Sequence, residues 1–131
     1  MYTWIAVAVG GALGSVARHA VNRVVHQEWP LLRFPLATLI VNIVGCCAIG
    51  VLAGLVATGR LPMRATWREF VFVGILGGFT TFSTFGLDTI TLVRSGDTSQ
   101  AVLNILLQVV CGLAAVHFGL VVVERFGVVG R

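Results

Sequence analysis

Gly74-Ile75-Leu76-Gly77-Gly78-Phe79-Thr80-Thr81-Phe82-Ser83-Thr84-Phe85-Gly86 is the stretch on which the reading of this chain turns. It lies at the centre of an apolar segment, about residues 70–92, that is long enough to cross a bilayer, for which ~20 apolar residues suffice. Paired glycines, four hydroxyl residues and three phenylalanines share its middle, a composition with no use on a lipid-facing helix. Glycine weakens a helix because it gives up the most backbone freedom on folding, so Gly77-Gly78 predicts a break. Backbone groups freed at membrane depth need partners other than water, and nearby hydroxyls supply them. A discontinuous helix presents carbonyl oxygens that suit a cation, and a half-helix N-terminus whose N–H groups and positive dipole end suit an anion. Phe82 and Phe85 stand three apart on one face, with Ser83 and Thr84 between them. A phenyl ring is positive at its edge, so two such edges in a narrow dry passage favour a small anion without the full charge that would trap it.

The rest of the chain agrees with a membrane setting. Of 131 residues, 57% are hydrophobic and 11% charged, and the mean hydropathy is +0.98; soluble domains are far more polar. Three further apolar segments, about residues 2–25, 34–57 and 101–123, complete four spans and nearly use up the length. The expected fold is therefore an all-α integral membrane protein, residues 1–131 forming a single domain of four transmembrane helices with the third broken at its centre. No basic residue precedes the first apolar stretch and no small-residue cleavage site follows it, so that segment is expected to stay in the membrane. Glu28-Trp29-Pro30, Gly59-Arg60-Leu61-Pro62 and Arg94-Ser95-Gly96-Asp97 mark the connections. Loops this short have no room for a soluble catalytic domain.

Nine Arg and no Lys stand against five acidic residues, a net charge of +4. That excess is too small and too scattered for a nucleic-acid partner. With four spans, Arg60, Arg64, Arg68, Arg125 and Arg131 fall on one side, and Arg23, Arg33 and Arg94 on the other, with Arg18 near that end of the first span. Orientation follows a clear excess of basic residues on the cytoplasmic side, and this bias is slight. A chain that inserts both ways can pair with an inverted copy of itself about a two-fold axis in the membrane plane, so an antiparallel dual-topology dimer is expected. Cys46, Cys47 and Cys111 lie in apolar runs without a disulfide spacing and read as small hydrophobic residues.

Polar residues inside the spans mark the candidate site. Gly10 and Gly14, like Gly50 and Gly54, stand four apart, a spacing that lets helix backbones approach closely. Thr38, Asn42 and Gly45 form one stripe of the second span, and Asn104, Gln108, Gly112 and Ala115 a comparable stripe of the fourth. Asn42 either bonds to another helix or donates its amide hydrogens to a passing anion. Arg18 reads first as an anchor, and its guanidinium also favours anions over cations near a pore mouth; Arg33 and His19 offer weaker versions of the same charge.

These residues resemble those of the small fluoride channels of the Fluc/CrcB family. The likeness runs through Gly10-Gly11-Ala12-Leu13-Gly14-Ser15-Val16-Ala17-Arg18, Thr38-Leu39-Ile40-Val41-Asn42-Ile43-Val44-Gly45 and, with the highest specificity, Gly77-Gly78-Phe79-Thr80-Thr81-Phe82-Ser83-Thr84-Phe85. The resemblance implies an antiparallel homodimer in the inner (plasma) membrane that lets fluoride leave the cytoplasm passively, through two pores at the subunit interface. It implies that Phe82 and Phe85 line the pore, that Asn42 faces it, that Ser83 and Thr84 offer hydroxyls near the ion path, and that Arg18 matches the family's first-helix arginine; Thr38 and Arg18 are expected on the ion pathway with them. It also implies a structural sodium ion shared at the dimer axis, held by the backbone carbonyls of Gly77 and Thr80; a hard cation takes oxygen ligands.

Three departures from the family pattern stand out: Ala37 where glycine is usual, Asp88 where glutamate is common, and Cys111-Gly112 where a Gly-Ser pair is common. The main rival is a small dual-topology multidrug antiporter. Proton-coupled export needs a carboxylate inside the membrane, and among Glu28, Glu69, Asp88, Asp97 and Glu124 only Asp88 is placed to serve. A membrane enzyme is disfavoured because His19, His26 and His117 are scattered without a recognisable catalytic spacing. A non-conducting partner subunit is disfavoured by the presence of both the Phe pair and Asn42.

Overall fold

Apolar segments that must satisfy every backbone group without water fold as helices, and the four apolar segments of this chain do so, the third with an interruption. A computed structural model describes residues 1–125; residues 126–131, with Arg131 of the charge tally, lie outside it. The spans are α1 (Tyr2–Glu28), α2 (Leu36–Ala57), a composite third span (Ala65–Arg94) and a last helix (Thr98–Arg125). Within the third span, α3 (Ala65–Arg68) runs into a π-helical stretch (Glu69–Leu76) and a single turn, α4 (Gly77–Phe79). After an interruption at Thr80 and Thr81 comes α5 (Phe82–Arg94), which makes the last helix α6. The first, third and fourth spans extend past the apolar cores read from the sequence, because helical hydrogen bonding continues into the polar margin of a span, whereas α2 starts at Leu36, just after Pro35, and ends where it was read.

Alternate spans run parallel and pack as two tight pairs, α1 with the first half of the third span and α2 with α6. Glycine makes both seams possible. A Cβ on Gly10 would lie 2.5 Å from the Phe70 carbonyl oxygen, and one on Gly78 would lie 2.5 Å from that of Gly11. In the other pair, Gly50 lies against the Val116 carbonyl and Gly119 against that of Cys47. Residues of the third span that meet α1 (Phe70, then Gly74 and Ile75, then Gly78 and Phe79) recur four or five apart. That repeat is longer than the 3.6 of an α-helix, and the wider π turns allow it.

Gly14 and Gly11 provide a paired test. A methyl group on Gly14 meets the backbone of Ile75 and Phe79, whereas one on Gly11 meets nothing within 4 Å. Gly14→Ala is expected to cost about 1–3 kcal/mol through overpacking, and Gly11→Ala to leave stability unchanged. Thermal unfolding of the two variants in detergent compares them directly.

The ends of the bundle also match the expected sides. The loops after α1 and α5 meet through Arg33 and Asp97, whose Nη1 and Oδ2 are 3.4 Å apart; exposed as it is, this pair contributes little stability. At the opposite end Arg60 donates from Nη1 to the Val123 carbonyl oxygen at 3.0 Å, joining the loop after α2 to the last turn of α6. Tyr2, Trp4 and Trp67 are exposed at that end and Trp29 at the other, where amphipathic rings favour the membrane interface.

The expected break is present, but not at the glycine pair. Gly77 is helical (φ −64°, ψ −36°), and the chain leaves the helix at Thr80 (φ −80°, ψ 161°) and Thr81 (φ −154°, ψ 116°). Gly78 serves close approach to α1 and needs no unusual dihedral for it. What ends the helix is a competing partner for Thr81, supplied by α2.

Candidate functional site

In an unbroken helix the Thr81 N–H would close a turn on the Gly77 carbonyl. It donates instead to Asn42 Oδ1 at 2.8 Å, and Asn42 Nδ2 donates back to the Thr81 carbonyl oxygen at 3.1 Å. One side-chain amide thus satisfies both polar groups of a buried peptide residue, as a strand neighbour would. The second hydrogen on Nδ2 goes to Gln108 Oε1 of α6 at 3.0 Å. Of the two roles open to Asn42, the structure has the interhelical bond, with both amide hydrogens engaged.

Below the break, α5 starts with a hydroxyl cap. Thr81 Oγ1 accepts from the Thr84 N–H at 3.2 Å, satisfying one of the donors that a helix N-terminus leaves open. The same hydroxyl donates to Thr84 Oγ1 at 3.0 Å and lies 3.3 Å from Ser83 Oγ. Thr84 therefore accepts and keeps its own proton for another partner. Arg18, half-buried on α1, donates from Nη1 to the Thr80 carbonyl oxygen at 3.3 Å, which is the anchoring role. Thr81 was missed as a hub by sequence reasoning, although a Thr three residues before Thr84 at a helix start is a capping signal.

The two polar stripes meet the break at Asn42, Gly45 and Gln108, and reach α5 beyond it at Thr38 and Asn104. On α2, Thr38 donates to Asp88 Oδ2 at 2.6 Å, Asn42 holds Thr81, and Gly45 leaves room for the Thr80 side chain. On α6, Gln108 meets Asn42, and Asn104 Nδ2 donates to Thr89 Oγ1 at 2.9 Å. Thr89 was not singled out by the sequence; four residues after Phe85, it donates to the Phe85 carbonyl oxygen at 2.8 Å.

The candidate residues divide between two cavities. Asn42, Gly77, Thr80, Phe82 and Phe85 line a groove of ≈ 370 Å³, together with Thr81 and Gln108. Thr38 and Thr84 line a second cavity of ≈ 240 Å³ with Asn22, His26, Arg33 and Asp88. Ser83 and Arg18 line neither. The Phe82 and Phe85 rings stand edge-on at 5.3 Å between centroids and 61° between planes, and Phe82 is 83% exposed on the isolated chain. Asp88, the carboxylate an antiporter would need, lines the second cavity, bonded to Thr38, and not the groove that holds the Phe pair.

Comparison with known proteins converges on one family. A family model described as "CrcB-like protein, Camphor Resistance (CrcB)" matches residues 5–120. A protein of Opitutus terrae named fluoride-specific ion channel FluC is 47% identical over 120 residues, covering 91% of this chain and 90% of its own. Its namesake from Paracoccus denitrificans is 49% identical over 121 residues, 92% of this chain and 94% of the relative. That of Methylobacillus flagellatus is 43% identical over 124 residues, 95% and 96% of the two chains.

Proposed function

The chain belongs to the CrcB family, and from that premise we propose that it is a fluoride-selective channel that lets fluoride leave the cytoplasm passively and so relieves fluoride toxicity. The observation that carries this reading is the edge-on Phe82/Phe85 pair, set on a groove beside a broken helix. Ring edges offer a fluoride ion weak positive partners in a site that water leaves, while the nearby amide and hydroxyls replace part of its hydration. Fluoride sheds water stepwise against Thr84, Ser83, Asn42 and the two rings. Thr84 has a free hydroxyl proton for this, whereas Asn42 meets the ion only by exchanging its bond to Gln108. Thr38 acts at an approach, and Arg18, bonded to the Thr80 carbonyl beside the break, adds positive charge near the path without lining either cavity. Chloride, being larger, is rejected by width and by poor replacement of its lost water.

The working unit in this reading is an antiparallel dual-topology homodimer in the inner membrane. Two observations support it: arginines nearly balanced between the two ends of the bundle, and Phe82 left uncovered on the single chain. A structural sodium fits the same assembly. Asn42 takes the N–H that the Gly77 carbonyl would have accepted, and the N–H of Thr84, the helical partner for the Thr80 carbonyl, turns to Thr81 Oγ1. Both carbonyl oxygens are thereby released from the helix, and a second copy brings the same pair. These hard oxygens suit a sodium ion, which would be held by the Gly77 and Thr80 carbonyls and would supply a fixed positive charge there. Arg18 occupies one side of the Thr80 oxygen, and a carbonyl oxygen has a second lone pair to give.

The test is anion efflux from liposomes holding the purified protein, with valinomycin to carry compensating potassium. Fluoride is expected to leave rapidly and chloride to stay. A folded dimer that releases no fluoride, or that releases chloride equally well, contradicts the proposal.

A further inference from the structure

Asn104 is fully buried between α5 and α6, at 0% exposure, yet only half of its amide is used. Nδ2 donates to Thr89 Oγ1, while Oδ1 has no hydrogen-bond partner among the described residues. A buried, unpaired carbonyl oxygen costs more than one interhelical hydrogen bond returns in a membrane protein. A leucine at this position would fill the space without that cost. The amide is therefore not explained as a device for stability, and its single bond shows what it does hold: the hydroxyl of Thr89, which in turn donates to the carbonyl oxygen of Phe85.

We propose that Asn104 and Thr89 are positioning residues for the Phe pair. The relay Asn104–Thr89–Phe85 fixes the rotation of α5 about its own axis, and so the aim of the Phe82 and Phe85 ring edges. The need for such a device follows from the fold. α5 has 13 residues, starts at the break, and does not continue the helix before it. At its first turn it is held by Thr81 through Asn42, and on the side facing α2 by Asp88 through Thr38. Both of those ties run to α2. Among the described residues, Asn104–Thr89 is the side-chain hydrogen bond that ties α5 to α6, and it acts one turn beyond Phe85. Without it every side-chain hydrogen bond from α5 to another helix among the described residues runs to α2; the apolar packing of α5 on α6 is non-directional and sets its roll less sharply than a hydrogen bond, and rings that stabilise an anion only by their edges lose their alignment.

The proposal rests on the reading of Phe82 and Phe85 as ion-path residues, and the experiment separates the two. Asn104→Leu is expected to unfold at the same temperature as the parent protein or higher, because the unpaired oxygen is gone. Its fluoride efflux is expected to fall about tenfold, the equivalent of ~1.4 kcal/mol in the barrier. Thr89→Val/Asn104→Leu removes both polar partners and is expected to match Asn104→Leu, whereas Thr89→Ser keeps the hydroxyl and is expected to retain parental efflux. Parental efflux in both the single and the double variant overturns the relay while the channel itself stands. A marked loss of thermal stability in Asn104→Leu also overturns it, since the amide would then be a packing element. Absence of fluoride efflux from the unsubstituted protein removes the premise instead.

Discussion

Asn42→Leu is expected to abolish fluoride efflux, a fall of at least about a hundredfold, the equivalent of ~2.7 kcal/mol. Leucine has nearly the same volume but none of the three hydrogen bonds that Asn42 makes with Thr81 and Gln108. Thr81 is buried, and its N–H and carbonyl would both be stranded away from water, at about 1–3 kcal/mol each. The chain has one local escape. Thr81 N–H can return to the Gly77 carbonyl and close the helix through the interruption. Closure would turn every residue beyond Thr81, carrying the Phe82 and Phe85 rings off the groove, and would reclaim the Gly77 carbonyl, one of the two oxygens proposed to hold a sodium ion. Either outcome stops conduction. Asn42→Asp separates the contributions, because its carboxylate still accepts from the Thr81 N–H but has no hydrogen to give and places a negative charge on the groove. It is expected to retain more thermal stability than Asn42→Leu and to conduct no better. Efflux near the parental rate in Asn42→Leu would show that the break forms without its clamp.

How much of this was legible before the structure depends on where the deciding contact lies. The four spans and the existence of a break follow from local composition, and both stand. The location of the break did not follow from the glycine pair. Gly77-Gly78 looks like a local weakness, but what the missing Cβ of Gly78 permits is contact with Gly11, a residue far away in sequence. The break instead lies where Asn42 outcompetes Gly77 for the Thr81 N–H, a contest between two elements that no window of sequence contains. The stripes on α2 and α6 were legible as stripes because helical period is local. Their partners were not. Thr38 with Asp88 and Asn104 with Thr89 join residues on different helices. Asp88 read alone was a carboxylate in search of a role, and Thr89 read alone was one threonine in an amphipathic helix. The family resemblance supplied expectations about Phe82, Phe85 and sodium that composition could not have specified.

Phe82→Ile isolates the contribution of a ring edge more cleanly than any change at Phe85. Phe82 is uncovered on the isolated chain, so an aliphatic side chain there leaves no cavity within the subunit, whereas Phe85 is partly buried. What disappears is the edge-on partner of Phe85, a contact of about 0.5–1.5 kcal/mol in stability, and with it one of the two rings that line the groove. If fluoride crosses by exchanging water for weak positive partners, the loss falls on the barrier, and efflux is expected to drop about a hundredfold, or ~2.7 kcal/mol. Phe82→Tyr keeps the ring and most of its rim and is expected to conduct. Chloride distinguishes the two ways in which a ring can act. A ring that only narrows the passage would, once replaced by the smaller Ile, let chloride through and fluoride faster. A ring that stabilises the ion by its edge would slow fluoride and leave chloride excluded, because the remaining walls are no wider at Asn42 and Phe85. The second pattern is expected; unchanged fluoride efflux would sink the ring-edge account, and faster efflux of both ions would assign Phe82 to the sieve.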